Sequence, residues 1–445
     1  MSTLSMDTLN QAFHARKAII GVMGLGYVGL PLVKALGDQG FSVIGFDVDQ
    51  ERVETLKEGT SYIKSFPQSS LQRLLKEKRF EATHNPEDLA RMDAILICVP
   101  TPLTRHREPD MSYVVATAET ILPNLRKGQL IVLESTTYPG TTKELIIPIL
   151  ERSGLKAGQD FFVAYSPERE DPGNPQYATS TIPKVVGADD PASRTLAVTL
   201  YMQIVPAVVQ VSSAATAEAV KLTENIFRCI NIAMVNELKV IYSEMGIDIW
   251  EVIDAAKTKP FGFMPFYPGP GLGGHCIPID PFYLTWKARE YGVSTRFIEL
   301  AGEVNTAMPD YVISQLREAL DLRFGKALSG SRILLIGMAY KKNVDDIRES
   351  PSLAIFEALR TKRAHVDYYD PFVPLVHKSR EHPMINGKTS ISWTEESLRS
   401  YDAALICTDH DNIDYEFLVA HSALVVDTRN ATLRVHAQKD NVVKA

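Results

Sequence analysis

Short apolar runs alternate with polar or amphipathic stretches over the first half of the chain. The runs AIIGVMG at 18–24, FSVIGFD ending at Asp47, DAILICV at 93–99, QLIVLE at 129–134 and the shorter segment 161–164 have the length and β-branched content of buried strands. The segments between them have helical or loop-like patterns. Strands that alternate with helices are typical of a parallel sheet covered on both faces, so this half predicts a doubly wound α/β domain.

Residues 214–244 show a different pattern, with apolar residues at i, i+3, i+4 and i+7 and no proline. This spacing predicts one amphipathic helix, with Gly246 as its C-terminal stop. A helix of about 30 residues is ~45 Å long at 1.5 Å per residue, which suits a central connector or the spine of a dimer. The chain is also predicted to be helical from there to about Thr306, apart from a Pro/Gly-rich loop at 260–274.

A second α/β pattern begins after Ser329. We expect strands at 332–337, 365–370, 402–407 and 423–429, with a helix near 352–363. Two segments match the first region in kind and order, DAALIC at 402–407 with DAILIC at 93–98 and YYDP at 368–371 with FDVD at 46–49. This match indicates two related nucleotide-binding-type domains, by duplication or by convergence of buried-strand composition.

Length supports a division into several domains, since 445 residues correspond to roughly three domains of about 150 residues each. We predict an α/β fold in which two Rossmann-like doubly wound domains are joined by a central long helix and a helical domain. The expected boundaries are 1–211, 212–306 and 307–445.

Composition excludes several classes of function. A net charge of −7 argues against a nucleic-acid partner, which needs a basic surface, although a local basic cluster could still hold an anionic substrate. The N-terminus is polar and no apolar run reaches the roughly 18 residues of a membrane span. The cysteines form no CxxC pair, which disfavours a metal site or disulfides. We therefore expect a soluble, cytoplasmic protein without a membrane partner or a metal, whose cysteines are Cys98, Cys229, Cys276 and Cys407.

A GxGxxG pattern follows the first predicted strand and opens a helix. Its glycines, Gly24, Gly26 and Gly29, would form a tight turn, admit a pyrophosphate close to the backbone and allow the helix to pack on the strand. Asp47 ends the next strand 18 positions after Gly29, where an acid accepts the ribose hydroxyls of an adenosine. This acid would repel a 2′-phosphate and therefore favours NAD⁺ over NADP⁺, although nearby Arg52 leaves NADP⁺ open. The alternative for the glycines is a purely structural turn. The predicted cofactor loop is Gly24, Leu25, Gly26, Tyr27, Val28 and Gly29.

Residues 268–281, PGPGLGGHCIPIDP, form the most unusual stretch of the sequence. Small and imino residues remove side chains where something must approach the backbone. Asp280 followed by Pro281 has the form of an N-cap and a first helical residue, although Asp280 could also act as a base or orient water. Cys276 would then precede a helix N-terminus, which favours its thiolate, whereas the other cysteines have the pattern of buried structural residues. His275 is expected to be structural or to line the substrate.

These motifs, in this order and over roughly residues 17–435, resemble the UDP-glucose/GDP-mannose dehydrogenase family. GPGLGGHCIPIDPFYL and SPEREDPGN are most similar to its branch that acts on UDP-2-acetamido sugars. The resemblance implies NAD binding by the first predicted domain, dimerisation and the cysteine loop in the second, and UDP-sugar binding by the third. It also implies a homodimer or a higher homo-oligomer.

The resemblance implies catalytic roles residue by residue. Cys276 matches the family nucleophile and Asp280 the acid downstream of it. Lys221 and Asn225 match a Lys-x-x-x-Asn pair, whose i, i+4 spacing places both on one helix face, where they would stabilise an oxyanion. Glu168, in YSPER, matches a position that places water and substrate near the nicotinamide, and Thr136 in ESTTYPGT has the same implied role.

Ligand contacts are implied as well. Lys341, in the YKK segment, would reach the sugar nucleotide, and Arg348 the phosphates of nucleotide or cofactor; otherwise both are surface charges. The predicted cofactor site also includes Arg52, Thr101 and Thr136, and the predicted substrate site also includes Glu168, Lys221, Asn225, Lys259, Gly269 and Gly273.

Three departures from the family pattern concern the sugar. Pro172 stands where members acting on UDP-glucose commonly have a second Glu, and Ile279 where they often have Lys. Residues 229–288 contain no Arg to reach a neighbouring subunit's substrate, which leaves Lys257 or Lys259 as substitutes. These changes favour a bulkier acetamido sugar over plain UDP-glucose.

The expected reaction is a four-electron oxidation of C6 of UDP-N-acetylglucosamine by two NAD⁺, through a thiohemiacetal and a thioester on Cys276. Its product would feed bacterial surface polysaccharide, either capsule or lipopolysaccharide O-antigen. UDP-glucose, UDP-N-acetylgalactosamine and UDP-N-acetylmannosamine remain alternative substrates. A two-electron hydroxy-acid dehydrogenase and a non-enzymatic NAD-sensing regulator are the rival functions.

Overall fold

The computed structural model describes residues 6–63, 66–104, 106–169, 181–274, 277–377, 382–437 and 439–445. The chain forms two compact units. The first comprises Met1–Glu224 with Phe282–Val293, and the second comprises Asn225–Pro281 with Ser294–Ala445. The predictions for Pro172, His275 and Cys276 lie outside the described residues.

The first unit contains, in the part of the chain described, an eight-stranded sheet of order β3-β2-β1-β4-β5-β6-β7-β8. All neighbouring strands are parallel except β6 and β7, a pair that the sequence did not predict. The strands are β1 Ile19–Met23, β2 Ser42–Phe46, β3 Phe80–Thr83, β4 Ala94–Ile97, β5 Leu130–Leu133, β6 Phe162–Tyr165, β7 Lys184–Gly187 and β8 Val208–Val211.

Helices cover both faces of this sheet. Successive strand residues point to opposite faces, so Val22 and Leu96 join the apolar cluster on one side, while Met23 and Ile97 join the cluster on the other. The helices are α1 Met6–His14, α2 Gly29–Asp38, α3 Gln50–Lys57, α4 Gln68–Lys76, α5 Ser112–Ile121, α6 Ile147–Glu151 and α7 Pro191–Tyr201. Shorter helical turns span Pro86–Arg91, Leu122–Asn124 and Thr142–Ile146.

Helix α8 spans Ala214–Glu244, as its apolar periodicity predicts, and passes from the first unit into the second. Gly246 follows with a φ of 70°, the left-handed conformation expected of a C-terminal stop. Helix α11 spans Arg296–Phe324, so it continues well past Thr306 and contains the predicted domain boundary at 306/307. The other helices of this region are α9 Ile249–Ala256 and α10 Asp280–Glu290.

The second unit carries its own parallel sheet, of order β10-β9-β11-β12-β13 in the described residues. Its strands are β9 Arg332–Ile336, β10 His365–Tyr369, β11 Ala403–Ile406, β12 Val425–Asp427 and β13 Val442–Lys444. Its helices are α12 Pro351–Thr361, α13 Glu395–Arg399 and α14 Tyr415–His421, with short turns at Pro383–Ile385 and Ala431–Arg434.

The second sheet repeats the inner part of the first, β2-β1-β4-β5-β6, in both order and register. Ile19 opposite Ser42 and Ile20 opposite Ala94 correspond to Arg332 opposite His365 and Ile333 opposite Ala403. The matched sequence pairs therefore occupy equivalent places, including Asp47 after β2 and Asp370 after β10. A common register over several strands favours duplication over convergence.

Within the described part of the chain, no helix has both the length and the apolar character needed to cross a membrane. The described residues also hold no group of three or more His, Cys, Asp or Glu side chains arranged for a metal ion.

Candidate active site

Glycine is needed at each of the three fingerprint positions of the first unit for a different structural reason. Gly24 has a φ of 94°, and a β-carbon there would lie 2.6 Å from the carbonyl oxygen of Cys98. A β-carbon on Gly29 would lie 1.9 Å from the carbonyl oxygen of Gly24, whereas one on Gly26 would meet no described atom within 4 Å. Internal packing therefore requires Gly24 and Gly29, and Gly26 leaves open backbone for a ligand. Helix α2 begins at Gly29, so this opening fits the pyrophosphate of NAD.

Asp47 holds this glycine turn in place. Its Oδ2 accepts a hydrogen bond from the backbone N–H of Leu25 at 2.8 Å, and its Oδ1 accepts one from the N–H of Asp49 at 3.0 Å. Each carboxylate oxygen has further lone-pair capacity, so the acid can also accept a ribose hydroxyl. Arg52 lies 4.0 Å from Asp47 and 3.4 Å from Asp49, so its charge is balanced by acids, which argues against a 2′-phosphate.

Other predicted residues follow the carboxyl ends of adjacent strands. Thr101 follows β4 and is buried, and its carbonyl accepts a hydrogen bond from the Tyr283 hydroxyl at 2.7 Å. Thr136 follows β5 and Glu168 follows β6. Because parallel strands end at the same sheet edge, these residues lie on the edge that carries the glycine turn, where open α/β sheets bind ligands.

The sequence did not predict a buried ionic cluster beside Glu168. The ammonium of Lys184 contacts the carboxylate of Glu134 and lies 3.6 Å from the Glu168 carboxylate, and the Lys184 side chain is almost fully buried. Burial alone would lower the pKa of Lys184, but the two carboxylates outweigh it and raise that pKa. Tyr201 donates a hydrogen bond to Glu134. The signal for this cluster was a Glu directly after an apolar strand, which needs a buried partner.

Lys221, on α8, contacts the backbone of Glu168, in the segment that follows β6. Its ammonium donates a hydrogen bond to the Glu168 carbonyl at 2.5 Å, and its side chain is largely buried. The structure thus brings together two of the predicted catalytic residues of the first unit. An ammonium held at one end by a carbonyl is oriented and keeps further N–H donors.

In the second unit, Asn225 and Asp280 form a buried pair. The Asn225 amide donates a hydrogen bond to Asp280 Oδ2 at 2.5 Å, and the two residues are 3% and 2% exposed. Helix α10 begins at Asp280, one residue earlier than predicted, so Asp280 lies in the first turn rather than before it. From this position its carboxylate accepts the hydrogen bond from the Asn225 amide. That bond uses one amide hydrogen of Asn225 and leaves the second for a substrate oxygen.

A chain of buried amides holds the start of the glycine loop. The N–H of Gly269 donates to Asn236 Oδ1 at 3.0 Å, and the Asn236 amide donates to Asn305 Oδ1 at 2.9 Å. Asn305 in turn donates to the carbonyl of Cys229 at 3.2 Å. Helices α8 and α11 therefore position the loop that leads to the cysteine.

The end of that loop packs on the predicted substrate segment. A β-carbon on Gly273 would lie 2.7 Å from the β-carbon of Tyr340, and the N–H of Gly274 donates to the Arg348 carbonyl at 3.1 Å. The structure therefore brings Gly273 next to the segment that contains Lys341 and Arg348. The Arg348 guanidinium pairs with Asp346 at 2.7 Å, so part of its charge is balanced locally.

Arg429 is a candidate substrate-site residue that the sequence did not predict. It follows β12 at the carboxyl edge of the second sheet, and its Nε donates to the Cys407 carbonyl at 2.9 Å. A β-carbon on Gly269 would lie 2.3 Å from its Nη1, so the guanidinium faces the glycine loop. Lys259, by contrast, is exposed and lies 5.0 Å from the ring centroid of Phe261, with no described contact to the other predicted substrate residues.

The three described cysteines have inert thiols. Cys98, Cys229 and Cys407 are buried, and desolvation raises the pKa of each, to about 12 for Cys407. The sequence prediction of structural cysteines at these positions is confirmed.

Comparison with known proteins identifies the family. Residues 18–205 match the NAD binding domain of the UDP-glucose/GDP-mannose dehydrogenase family, residues 215–307 its central domain and residues 334–434 its UDP binding domain. The chain belongs to this family. The resemblance drawn from its motifs, the α/β fold class and NAD as the cofactor are confirmed.

Individual members of the family are similar over nearly the whole chain. A UDP-N-acetyl-D-glucosamine 6-dehydrogenase of Pseudomonas aeruginosa is 38% identical, with 88% of this chain and 90% of the relative covered. An NDP-N-acetyl-D-galactosaminuronic acid dehydrogenase of Ralstonia solanacearum is 34% identical, with coverage of 95% and 98%. The structure of a UDP-D-ManNAc dehydrogenase from Pyrococcus horikoshii superposes with a TM-score of 0.86 at 31% identity, covering 96% of this chain and 98% of that one. This family member is an NAD-dependent UDP-sugar dehydrogenase that groups with the 2-acetamido-sugar branch.

Asp47→Asn tests the dinucleotide assignment. The substitution keeps the size of the side chain but removes the negative charge that accepts the ribose hydroxyls, so the Kd for NAD⁺ should rise about tenfold. The Kd for UDP should stay unchanged in the same calorimetric titrations. Asp49→Asn, a half-exposed acid two residues away, is the matched control and should leave both constants unchanged. Wild-type affinity for NAD⁺ in Asp47→Asn would refute the assignment.

Proposed function

We propose that this chain oxidises C6 of UDP-N-acetylglucosamine to the uronic acid, with Cys276 as covalent nucleophile, and supplies bacterial surface polysaccharide such as capsule or O-antigen. The observation that carries the proposal is the buried Asn225–Asp280 pair at the start of the helix that follows the cysteine loop. An amide donor and an acid, both removed from water, are the groups that thioester chemistry needs beside a thiolate.

The first oxidation removes a hydride from C6 and the proton of the C6 hydroxyl, which leaves through ordered water. Bound NAD⁺ supplies the hydride acceptor for both oxidations. The Lys221 ammonium, oriented by the Glu168 carbonyl, and the second amide hydrogen of Asn225 hold the substrate oxygen as its negative charge develops. Lys221 and Asn225 lie four residues apart on α8, one helical turn.

The second oxidation passes through covalent capture. The Cys276 thiolate adds to the C6 aldehyde, and the resulting thiohemiacetal loses its hydride to give a thioester. Water, positioned by Asp280, Glu168 or Thr136, attacks the thioester carbon, and the C–S bond breaks to release the carboxylate and the thiol. In sum, one alcohol, one water and two NAD⁺ give one carboxylate, two NADH and three protons.

The acetamido sugar is favoured by two features. Pro172 and Ile279 replace the charged residues that are common in members acting on UDP-glucose. Two relatives named for N-acetylglucosamine are 38% and 36% identical, whereas those named for N-acetylmannosamine and N-acetylgalactosaminuronic acid are 33% and 34% identical. A hydroxy-acid dehydrogenase would not need a second nucleotide-type sheet, and an NAD sensor would not need the Asn225–Asp280 pair.

A panel of UDP-sugars tests the substrate. We expect kcat/KM for UDP-N-acetylglucosamine to exceed that for UDP-glucose about tenfold or more, because Pro172 and Ile279 replace charged residues that are common in members acting on UDP-glucose. NADH formation is followed at 340 nm with UDP-N-acetylglucosamine, its C4 and C2 epimers and UDP-glucose under identical conditions. A preference for UDP-glucose would place the chain in the other branch, and a preference for an epimer would correct the sugar alone.

Cys276→Ser separates the two oxidations. The serine hydroxyl has a far higher pKa than a thiol, and its ester is hydrolysed more slowly than a thioester because an alkoxide is the poorer leaving group. We therefore expect kcat to fall by orders of magnitude while one slow reduction of NAD⁺ survives. Rapid-quench measurement of NADH per active site and the melting temperature give both readouts. The control Cys229→Ala removes a buried thiol and should lower only the melting temperature. A stable Cys276→Ser protein with normal turnover would eliminate the covalent mechanism.

We also propose that the chain forms a homodimer through α8. An apolar stripe at heptad spacing, Phe227, Met234 and Ile241, is exposed by 48%, 44% and 47% and continues to Met245 at 62%. Large apolar side chains repeated every seven residues on an exposed helix face are typical of a helix–helix interface.

Met234→Glu combined with Ile241→Glu tests this interface. Charges in the stripe should convert the dimer to a monomer, because burying them against a second copy is costly. Light scattering at micromolar concentration measures the mass. Leu322→Glu, on α11 and 77% exposed, is the control and should not change it. A wild-type monomer would end the dimer proposal.

A further inference from the structure

The second sheet keeps the turn-holding acid of the first. Asp370 follows β10 as Asp47 follows β2, and its Oδ2 accepts hydrogen bonds from the N–H groups of Met338 at 2.7 Å and Ala339 at 3.0 Å. Gly337, with a φ of 89°, stands in the place of Gly24. The turn after the first strand is therefore built in the same way in both sheets.

In the second sheet, side chains and backbone groups of the protein occupy the side of this turn that is open to a ligand in the first sheet. Ala339 stands where Gly26 leaves open backbone in the first sheet, and it is fully buried. Asp370 Oδ1 accepts hydrogen bonds from the N–H groups of Phe372 at 2.8 Å and Val373 at 3.1 Å, and Oδ2 also lies 3.0 Å from His410 Nε2. A carboxylate with these five partners has no capacity for a ribose.

His410 links this acid to the substrate segment. Its Nδ1 accepts a hydrogen bond from the backbone N–H of Asn343 at 2.9 Å, so Nε2 carries the proton that it donates to Asp370. Asn343 has a left-handed φ of 63°, and its side-chain amide donates to Asp411 at 2.6 Å. The His410 ring and the Asp370 carboxylate are both buried, the two residues being 0% and 1% exposed.

We propose that His410 is a positioning residue for the sugar nucleotide. The acid that would bind a ribose in a dinucleotide-binding sheet here orients His410, and His410 fixes Asn343 within the segment that carries Lys341 and Arg348. The inference rests on the proposed function in so far as those two cations bind the UDP-sugar. According to this inference, the second sheet no longer has room for a dinucleotide, and His410, which occupies the acid, instead helps to position the substrate-binding segment.

His410→Phe is the decisive variant. The phenyl ring keeps the ring contact with Phe372, whose centroid lies 4.9 Å away, and removes both hydrogen bonds. The Kd for UDP, measured calorimetrically on the full chain, should rise about tenfold because the Asn343 N–H loses its acceptor. KM for the UDP-sugar should rise in parallel while kcat and the Kd for NAD⁺ stay within about twofold. His410→Gln, which restores a donor toward Asp370, should recover part of the UDP affinity.

Tyr401→Phe separates positioning from general destabilisation. It removes a hydrogen bond of 3.0 Å to Asp367 in the same domain, at the opposite end of β11 from His410. It should lower the melting temperature without changing the Kd for UDP. Wild-type UDP affinity in His410→Phe, equal weakening in Tyr401→Phe, or no UDP binding by the wild type would overturn the inference. UDP binding that depends on His410, in a protein that oxidises no UDP-2-acetamido sugar, would overturn only the proposed function.

Discussion

A carboxylate at the end of the second strand of each sheet holds the turn that follows the first strand. Backbone N–H groups at the end of a buried parallel strand have lost their ladder partners and need an acceptor. Asp47 supplies it to Leu25, and Asp370 supplies it to Met338 and Ala339. This bond fixes the turn, and the turn fixes what can approach the carboxyl edge of the sheet.

The two sheets use this shared constraint for different ligands. In the first, open backbone at Gly26 and remaining lone pairs on Asp47 fit NAD. In the second, His410 and backbone amides occupy the acid, which supports our proposal that the segment from Tyr340 to Arg348 binds the sugar nucleotide. One NAD binding domain and one UDP binding domain in the same chain are what duplication followed by closure of one dinucleotide site would produce.

Local patterns in the sequence predicted what local physics determines. The apolar periodicity of α8 gave its length, and the buried strands and fingerprint glycines were found at their places. The edge strands β3 and β8 were missed because they are four residues long and partly polar. The Glu134–Lys184 pair and the Asp370–His410 pair were missed because their partners lie 50 and 40 residues apart. Only the fold brings such residues together.

Binding stoichiometry tests the division of labour between the two sheets most directly. Equilibrium dialysis of the intact protein with NAD⁺ and UDP, separately and together, gives the number of sites and any competition. The account predicts one NAD⁺ and one UDP per chain, with neither ligand displacing the other. A second NAD⁺ site per chain, or displacement of NAD⁺ by UDP, would contradict it.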